Sequence, residues 1–153
     1  MTEMATPKLL PPHYFAAALL LIIVSHWLPG PRLGIGQPAG LIAGVALLVF
    51  CMALAASGSG QFRRADTNII PFSKASVLVT DGVFRWSRNP MYLGMLVALL
   101  GATLLTQSLW AALLLVAFFW LIQSKFVRHE ERQMQAEFGA AYEQYCARTR
   151  RWL

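Results

Sequence analysis

The sequence predicts an all-α membrane protein with four transmembrane helices. Hydrophobic residues make up 57% of the 153-residue chain and charged residues only 13%, about half the charged share of an ordinary soluble domain. Three long segments, 9–31, 33–62 and 89–124, contain no Asp, Glu, Lys or Arg. A bilayer core about 30 Å thick needs about 17–25 apolar residues per spanning helix. The first two segments therefore hold one helix each, and the third holds two.

Residues that stop helices bound each predicted span. The four spans are 14–28, 39–56, 91–105 and 109–126. The first ends at the Pro-Gly-Pro sequence 29–31, and the second begins after Pro38 and ends in a flexible Ser-Gly exit, 57–60. The polar residues 106–108 join the third and fourth spans as a helical hairpin. The first span has no small-residue cleavage site after it, so we expect a retained helix and not a signal peptide.

Positive charges predict how the chain is threaded through the membrane. Twelve of the 13 Lys and Arg residues lie before the first span, in the loop 57–90, or from Lys125 onward into the tail 127–153, and only Arg32 lies elsewhere. Because cytoplasmic segments carry the Lys and Arg excess, both termini, the loop and the tail are predicted in the cytoplasm. This sidedness accounts for the net charge of +6, so we expect no nucleic acid as a partner.

Two residue patterns predict how the helices pack. Small residues recur at helical spacing in the second and third spans: Gly40, Gly44, Gly94, Ala98 and Ala102. They predict close helix packing and leave a homodimer open. In the tail, apolar side chains recur every three or four residues: Met134, Phe138, Tyr142 and Tyr145. They predict a C-terminal amphipathic cytoplasmic helix.

Several function classes are excluded by what the spans lack. No ionisable Asp, Glu, Lys or Arg lies in their apolar parts, which argues against a proton-coupled transporter. Ser25 and His26 are neighbours on one helix, so they cannot form the facing pair of an intramembrane serine protease. Cys51 and Cys146 form no CxxC motif, so no metal site or disulfide framework is expected.

The remaining polar chemistry gathers on the predicted cytoplasmic side. The loop ends in LVTDGVFRWSRNPMYLG, residues 78–94, which offers flat apolar side chains and an Arg-Asn pair at a helix N-terminus that attracts anions. After the hairpin, Glu130 and Glu131 provide two adjacent carboxylates able to hold an ammonium or sulfonium cation. The set fits a small zwitterionic ligand with an aromatic base; simple anchoring at the membrane interface is the alternative.

That stretch and the tail HEERQMQAEFGAAYEQYCARTRRW, 129–152, together resemble the isoprenylcysteine carboxyl methyltransferase and phospholipid methyltransferase group of integral membrane enzymes. The resemblance covers residues 77–152, with both blocks in order. It implies one methyltransferase domain, 1–153, in a prokaryotic inner membrane, using S-adenosylmethionine at a site that faces the cytoplasm. It also implies a lipophilic small-molecule or prenylated acceptor that enters from the membrane lipids.

The resemblance also assigns site residues by position. The implied cofactor-binding residues are Leu78, Val79, Phe84, Arg88, Asn89, Pro90, Met91, Tyr92 and Glu131. The implied catalytic residues are Arg88, Arg128, Glu130 and Glu131: an arginine would hold a carboxylate acceptor, and a glutamate would take the proton of an amine. Asn89 and Phe84 replace a histidine and a tyrosine of the eukaryotic prenylcysteine enzymes, which bears on the acceptor. We expect isoprenylcysteine-like carboxyl O-methylation, with a phospholipid or small amine or thiol methyltransferase, or a non-enzymatic anchoring protein, as alternatives.

Overall fold

The computed structural model describes residues 10–64 and 77–153, and every extended regular element in these two ranges is helical. The helices are α1 (Pro11–Val24), α2 (Ala39–Arg64), α3 (Pro90–Thr106), α4 (Leu109–Ile122), α5 (Arg128–Phe138) and α6 (Ala140–Arg148), with a 3-10 turn at Gly82–Arg85 and a π-helical turn at Gln123–Val127. The all-helical fold class is confirmed for this part of the chain. Predictions that fall on residues 1–9 and 65–76, such as the location of Lys8 and Lys74, lie outside the described residues.

Helix α1 begins three residues before its predicted span, 14–28, and ends four residues before the end of that span. Two prolines occupy its first turn, where a residue without an amide hydrogen costs nothing. The helix ends at Val24, and residues 25–28 continue as tight backbone turns. Proline disfavours a helical conformation in the residue before it, so Pro29 disfavours a helix at Leu28, the last residue of the predicted span.

Helix α2 continues to Arg64, so the predicted end at residue 56 and the flexible exit at 57–60 are wrong. Glycine in a helix interior costs about 1 kcal/mol relative to alanine and serine costs less, whereas proline costs about 3 kcal/mol. The Ser-Gly sequence contains no proline. It therefore weakens the helix without ending it.

One helix in the described part of the chain is long and apolar enough to cross a membrane by itself. It is Leu109–Phe138, in which α4, the π-helical turn and α5 follow one another without a break. Three shorter apolar helices cover Pro11–Val24, Ala39–Leu54 and Pro90–Thr106. Helices α3 and α4 meet at Gln107, whose φ of 54° ends α3, so the predicted turn at 106–108 is confirmed.

Helices α2 and α3 approach each other closely where each has a glycine. A methyl group added at Gly101 would lie 2.8 Å from the carbonyl oxygen of Gly44, and one added at Gly44 would lie 2.9 Å from the Gly101 oxygen. Lipid provides little hydrophobic driving force for helix association, so close backbone packing stabilises the helix pair instead. Gly40 and Gly94 also face the neighbouring backbone. The predicted close packing at Gly40, Gly44 and Gly94 is confirmed, with Gly101 as a contact that the pattern did not include.

The buried core joins α1, α3 and α4 and continues toward the tail. Its members include Ile22, Leu99, Phe118, Ile122 and Phe126, and it reaches Tyr92 at the start of α3. The predicted tail helix is in fact two helices, because Gly139 has a φ of 50° and separates α5 from α6. Glycine adopts this left-handed conformation without steric cost. The break lets α6 turn back against the segment that precedes α3.

Candidate active site

An aromatic cluster joins the segment before α3 to helix α6. Phe84, Tyr142 and Tyr145 are each at most 7% exposed, and Leu78 and Val79 pack against them. The Tyr145 hydroxyl donates a hydrogen bond to the Phe84 carbonyl oxygen at 2.7 Å. Three predicted cofactor residues therefore lie beside two tyrosines of the tail.

The residues just before α3 bind the C-terminal segment of the chain. Pro90 is the first residue of α3, and Asn89 precedes it without capping the helix through its side chain. Instead, Asn89 Nδ2 donates to the Arg151 carbonyl oxygen at 3.1 Å. Ser87 Oγ donates to the same oxygen at 3.3 Å and accepts from the Asn89 amide at 3.1 Å. Asn89 and Pro90 thus shape the junction of loop, helix and tail.

Arg88 is bonded to the tail through both its backbone and its side chain. Its amide donates to the Arg150 carbonyl oxygen at 3.0 Å. Nη1 donates to the carbonyl oxygens of Cys146, at 3.3 Å, and Thr149, at 3.1 Å, while Nη2 donates to Glu131 Oε1 at 3.0 Å. Nε is buried and has no hydrogen-bond partner among the residues that the structure describes. An added acceptor atom could therefore use this buried donor.

Glu131 lies between two arginines. Besides Arg88, it is bound by Arg151 in a bidentate contact, Nε to Oε1 at 2.8 Å and Nη2 to Oε2 at 2.7 Å. The side chains of Arg88, Glu131 and Arg151 are 12%, 16% and 41% exposed. The hydrogen bond to Glu131 raises the pKa of Arg151. The negative charge of Glu131 is fully compensated, and the three side chains together carry one positive charge.

Glu130 has a neutral partner instead. The hydroxyl of Tyr92, a residue 7% exposed, donates to Glu130 Oε1 at 2.6 Å. Burial raises the pKa of the Glu130 carboxyl to about 7, and the hydrogen bond from Tyr92 opposes the rise. Glu130 lies beyond residue 126, the end of the predicted span. Near neutral pH this carboxyl can be either protonated or ionised.

The π-helical turn sets the direction in which both glutamates project. Such a turn contains one more residue than an α-helical turn and often occurs at functional sites. Gln123, its first residue, is buried and accepts a hydrogen bond at 3.1 Å from the indole of Trp152. The Trp152 ring also packs on Phe119, with 5.5 Å between ring centroids. The end of the chain is therefore fixed against the helix that carries Glu130 and Glu131.

The structure brings most of the predicted site residues together. Arg88 and Tyr92 contact Glu131 and Glu130, while Leu78, Val79 and Phe84 form the adjoining apolar wall. Met91 is partly buried at the start of α3. Arg128 is exposed, and no hydrogen bond or ion pair joins it to this cluster in the ranges 10–64 and 77–153.

Four residues of the cluster were not predicted as site residues: Ser87, Tyr142, Tyr145 and Arg151. The two tyrosines had a signal in the sequence, because their spacing marks one face of a helix. Arg151 had none, since it is one of several arginines near the end of the chain. Its contact with Glu131 depends on the return of the tail after Gly139.

Comparison with known proteins places the sequence among methyltransferases. Residues 39–141 match the family described as phospholipid methyltransferase. The protein-S-isoprenylcysteine O-methyltransferase of Schizosaccharomyces pombe is 34% identical over 73 residues, which cover 48% of this chain and 31% of the relative. The enzyme of the same name from Saccharomyces cerevisiae is 33% identical over 81 residues, covering 52% and 34%. The chain thus matches about a third of each relative's length, and no solved structure matches it.

Proposed function

Because this chain belongs to the phospholipid methyltransferase family, we propose that it is a membrane methyltransferase that uses S-adenosylmethionine. One observation carries the proposal. Arg88 and Tyr92, at the start of α3, bind Glu131 and Glu130, at the start of α5, through hydrogen bonds of 3.0 and 2.6 Å. Two segments some forty residues apart in the chain thereby form a single polar cluster beside an apolar wall.

The proposal includes the topology in which this cluster works. Four spans, with both termini, the loop 57–90 and the tail 127–153 in the cytoplasm, would put the cluster at the cytoplasmic face of a prokaryotic inner membrane, within one domain, 1–153. The distribution of Lys and Arg supports this orientation. The continuous helix Leu109–Phe138 carries both glutamates on α5, beyond the proposed end of the fourth span at residue 126.

The residues of the cluster fit S-adenosylmethionine by their chemistry. The aromatic rings of Phe84, Tyr142 and Tyr145 suit an adenine ring, and Glu131 suits an ammonium group. When bound, the cofactor would supply a methyl group on a sulfonium for in-line displacement by the acceptor. Such a reaction depends mainly on positioning and exclusion of water. The buried contacts of Arg88 and Tyr92 provide both.

A carboxylate acceptor is the class that the charges of the cluster favour. Arg88, Glu131 and Arg151 together carry one positive charge, and within the described ranges Arg88 Nε is a buried donor without a partner. An acceptor carboxylate brought from the bilayer would neutralise this charge and accept a hydrogen bond from Arg88 Nε. Arg88 is therefore the arginine that we propose for acceptor binding, and the exposed Arg128 is not. The names of the two yeast relatives agree with an isoprenylcysteine-like acceptor.

Calorimetric binding of S-adenosylhomocysteine to the protein in detergent tests the cofactor proposal. We expect micromolar binding by the wild type and none by the Glu130→Gln, Glu131→Gln double variant. The matched control is Glu137→Gln, Glu143→Gln, which removes two exposed carboxylates of the same tail and should bind normally. A folded wild type that fails to bind in both detergent and lipid nanodiscs would contradict the proposal and favour an anchoring protein.

Methylation assays with two acceptors test the acceptor class. We expect transfer to an isoprenylated cysteine with a free carboxylate and none to phosphatidylethanolamine, whose nucleophile is an amine. Blocking the carboxylate of the isoprenylated cysteine as an amide should abolish transfer, since the reacting oxygen is lost. Methylation of phosphatidylethanolamine alone would overturn the carboxylate proposal while leaving the methyl donor unchanged.

A further inference from the structure

Glu131 is one of the residues proposed to hold a cationic ligand, yet arginines already occupy both of its oxygens. Oε1 accepts from Arg88 at 3.0 Å and from Arg151 at 2.8 Å, and Oε2 accepts from Arg151 at 2.7 Å. Three hydrogen bonds already use this carboxylate, which has about four acceptor positions, so an incoming ammonium group must compete with the arginines for it.

The two arginines differ in how firmly they are held. The Arg88 side chain is 12% exposed and bonds the carbonyl oxygens of Cys146 and Thr149 as well as Glu131. The Arg151 side chain is 41% exposed, and Glu131 is the only residue to which it donates a hydrogen bond in the described part of the chain. Arg151 is therefore the arginine that can leave, and its departure frees Oε2.

The backbone around Arg151 need not move when its side chain leaves. We call residues 149–152 the C-terminal strap. The Arg88 amide holds the strap at the Arg150 carbonyl oxygen, Asn89 Nδ2 holds it at the Arg151 carbonyl oxygen, and the Trp152 indole is bonded to Gln123. These contacts do not involve the Arg151 guanidinium. Rotation about its side-chain bonds is enough to open the carboxylate.

We infer that Arg151 is an internal counter-ion of Glu131 that the ammonium group of the S-adenosyl ligand displaces on binding. The inference rests on the proposed function. Binding replaces the Arg151–Glu131 ion pair by an ammonium–Glu131 ion pair of the same charge. Contact with Glu131 therefore contributes less to the binding free energy than contact with a free carboxylate would. Arg151 thereby lowers affinity for the ligand while it keeps Glu131 compensated in the empty site.

Binding of three probes to the full-length protein tests this inference. S-adenosylhomocysteine and its decarboxylated analogue both carry the ammonium group, whereas 5′-methylthioadenosine lacks it. We expect Arg151→Gln to bind the first two about two- to fivefold more tightly than the wild type, the effect of removing a partly exposed ion pair that competes. Binding of 5′-methylthioadenosine should be unchanged. If Arg151 only positions Glu131, Arg151→Gln should bind S-adenosylhomocysteine more weakly than the wild type.

The matched control is Arg150→Gln, which removes the same charge from the same strap. Among the described residues, the Arg150 side chain donates only to the Leu153 carbonyl oxygen, at 3.4 Å, so all three affinities should stay at the wild-type level. In a Glu131→Gln background, Arg151→Gln should have no effect, because the competition requires the carboxylate. Arg151→Lys keeps the charge but not the bidentate contact, so its affinity for the two ammonium-bearing probes should lie between those of the wild type and Arg151→Gln. It also provides the test if the glutamine variant does not fold.

The outcomes separate this inference from the proposed function. Wild-type binding of S-adenosylhomocysteine with equal or weaker binding by Arg151→Gln would overturn the counter-ion role and leave the methyltransferase proposal standing. Equal tightening for 5′-methylthioadenosine would also overturn it, since the ammonium group would then be irrelevant. Absence of binding of all three probes by folded protein would overturn both.

Discussion

Glu130 and Glu131 are neighbours in the chain but have opposite surroundings. Glu131 is compensated by two arginines, whereas Glu130 is partly buried beside the neutral hydroxyl of Tyr92. The sequence motif makes them look equivalent, and only the contacts separate their roles. Glu131 is suited to bind a cation, while Glu130, with a pKa raised to about 7 by burial, is the one that can exchange a proton near neutral pH.

The raised pKa of Glu130 predicts a pH-dependent stability. The unfolded carboxyl ionises near 4.5 and the folded one near 7, so between these values the folded state binds more protons and stability falls as pH rises. We expect the melting temperature of the wild type, measured by tryptophan fluorescence in detergent, to decrease relative to Glu130→Gln from about pH 5 to pH 8. The control Glu137→Gln should follow the wild type. Parallel curves for wild type and Glu130→Gln would show that the carboxyl titrates normally.

The Tyr92 hydroxyl predicts an effect on turnover that is separable from folding. Tyr92→Phe removes the hydrogen bond that orients Glu130 while keeping the buried ring. We expect methyl transfer to fall about tenfold, equivalent to about 1.4 kcal/mol of activation free energy. Tyr14→Phe, a tyrosine of α1 that packs on Phe126, is the control and should keep full activity. Normal turnover by Tyr92→Phe would remove Tyr92 from the site.

At the level of helices, Gly101 and Gly94 of α3 provide a matched pair of positions for alanine. Both should gain about 1 kcal/mol of intrinsic helix stability. At Gly94 the new methyl group meets only ordinary contacts at 3.7 Å or more, but at Gly101 it lies 2.8 Å from a backbone oxygen of α2. We expect Gly101→Ala to be about 1–3 kcal/mol less stable than Gly94→Ala in chemical unfolding. Equal stabilities would mean that α2 and α3 separate without cost.

The π-helical turn predicts that a deletion will act differently from an insertion. The turn contains one residue more than an α-helical turn, so removal of Ser124, an exposed residue of the turn, should restore α-helical geometry and leave all later residues in register. Insertion of one alanine after Ser124 should instead rotate the later residues by about 100°, so that Glu130 and Glu131 face away from Tyr92 and Arg88. We expect the insertion to abolish S-adenosylhomocysteine binding with helix content by circular dichroism unchanged, and the Ser124 deletion to bind normally. Retained binding by the insertion variant would mean that the register of this helix does not orient the glutamates.

For the whole molecule, the proposed threading predicts which residues a membrane-impermeant thiol reagent reaches. In a background without Cys51 and Cys146, we expect a cysteine at Gly36 to be labelled in intact spheroplasts. A cysteine at Glu137 should be labelled only after the membrane is broken. Gly36 has open space around it, so the substitution should not disturb packing. The reverse labelling pattern would invert the orientation and put the cluster on the outer face.

The fold class could be predicted because it depends on composition and periodicity, which are properties of the chain itself. Uncharged segments, prolines and the polar turn at 106–108 indicated the helices without any tertiary contact. Exact helix ends were less predictable, since Gly and Ser at 57–60 weaken a helix without ending it. The break at Gly139 also escaped prediction, because glycine permits a left-handed conformation but does not require it.

The sequence alone determined which residue types could form the site: an arginine and a tyrosine at the start of α3, and two carboxylates after α4. Only the tertiary structure decided their partners. It paired Arg88 with Glu131 and Tyr92 with Glu130, left Arg128 exposed, and brought in Arg151 from the last residues of the chain. The reason is physical: motif spacing fixes the face of a helix on which a side chain lies. Which groups meet across two helices depends on helix register, here set by a π-helical turn and a glycine bend.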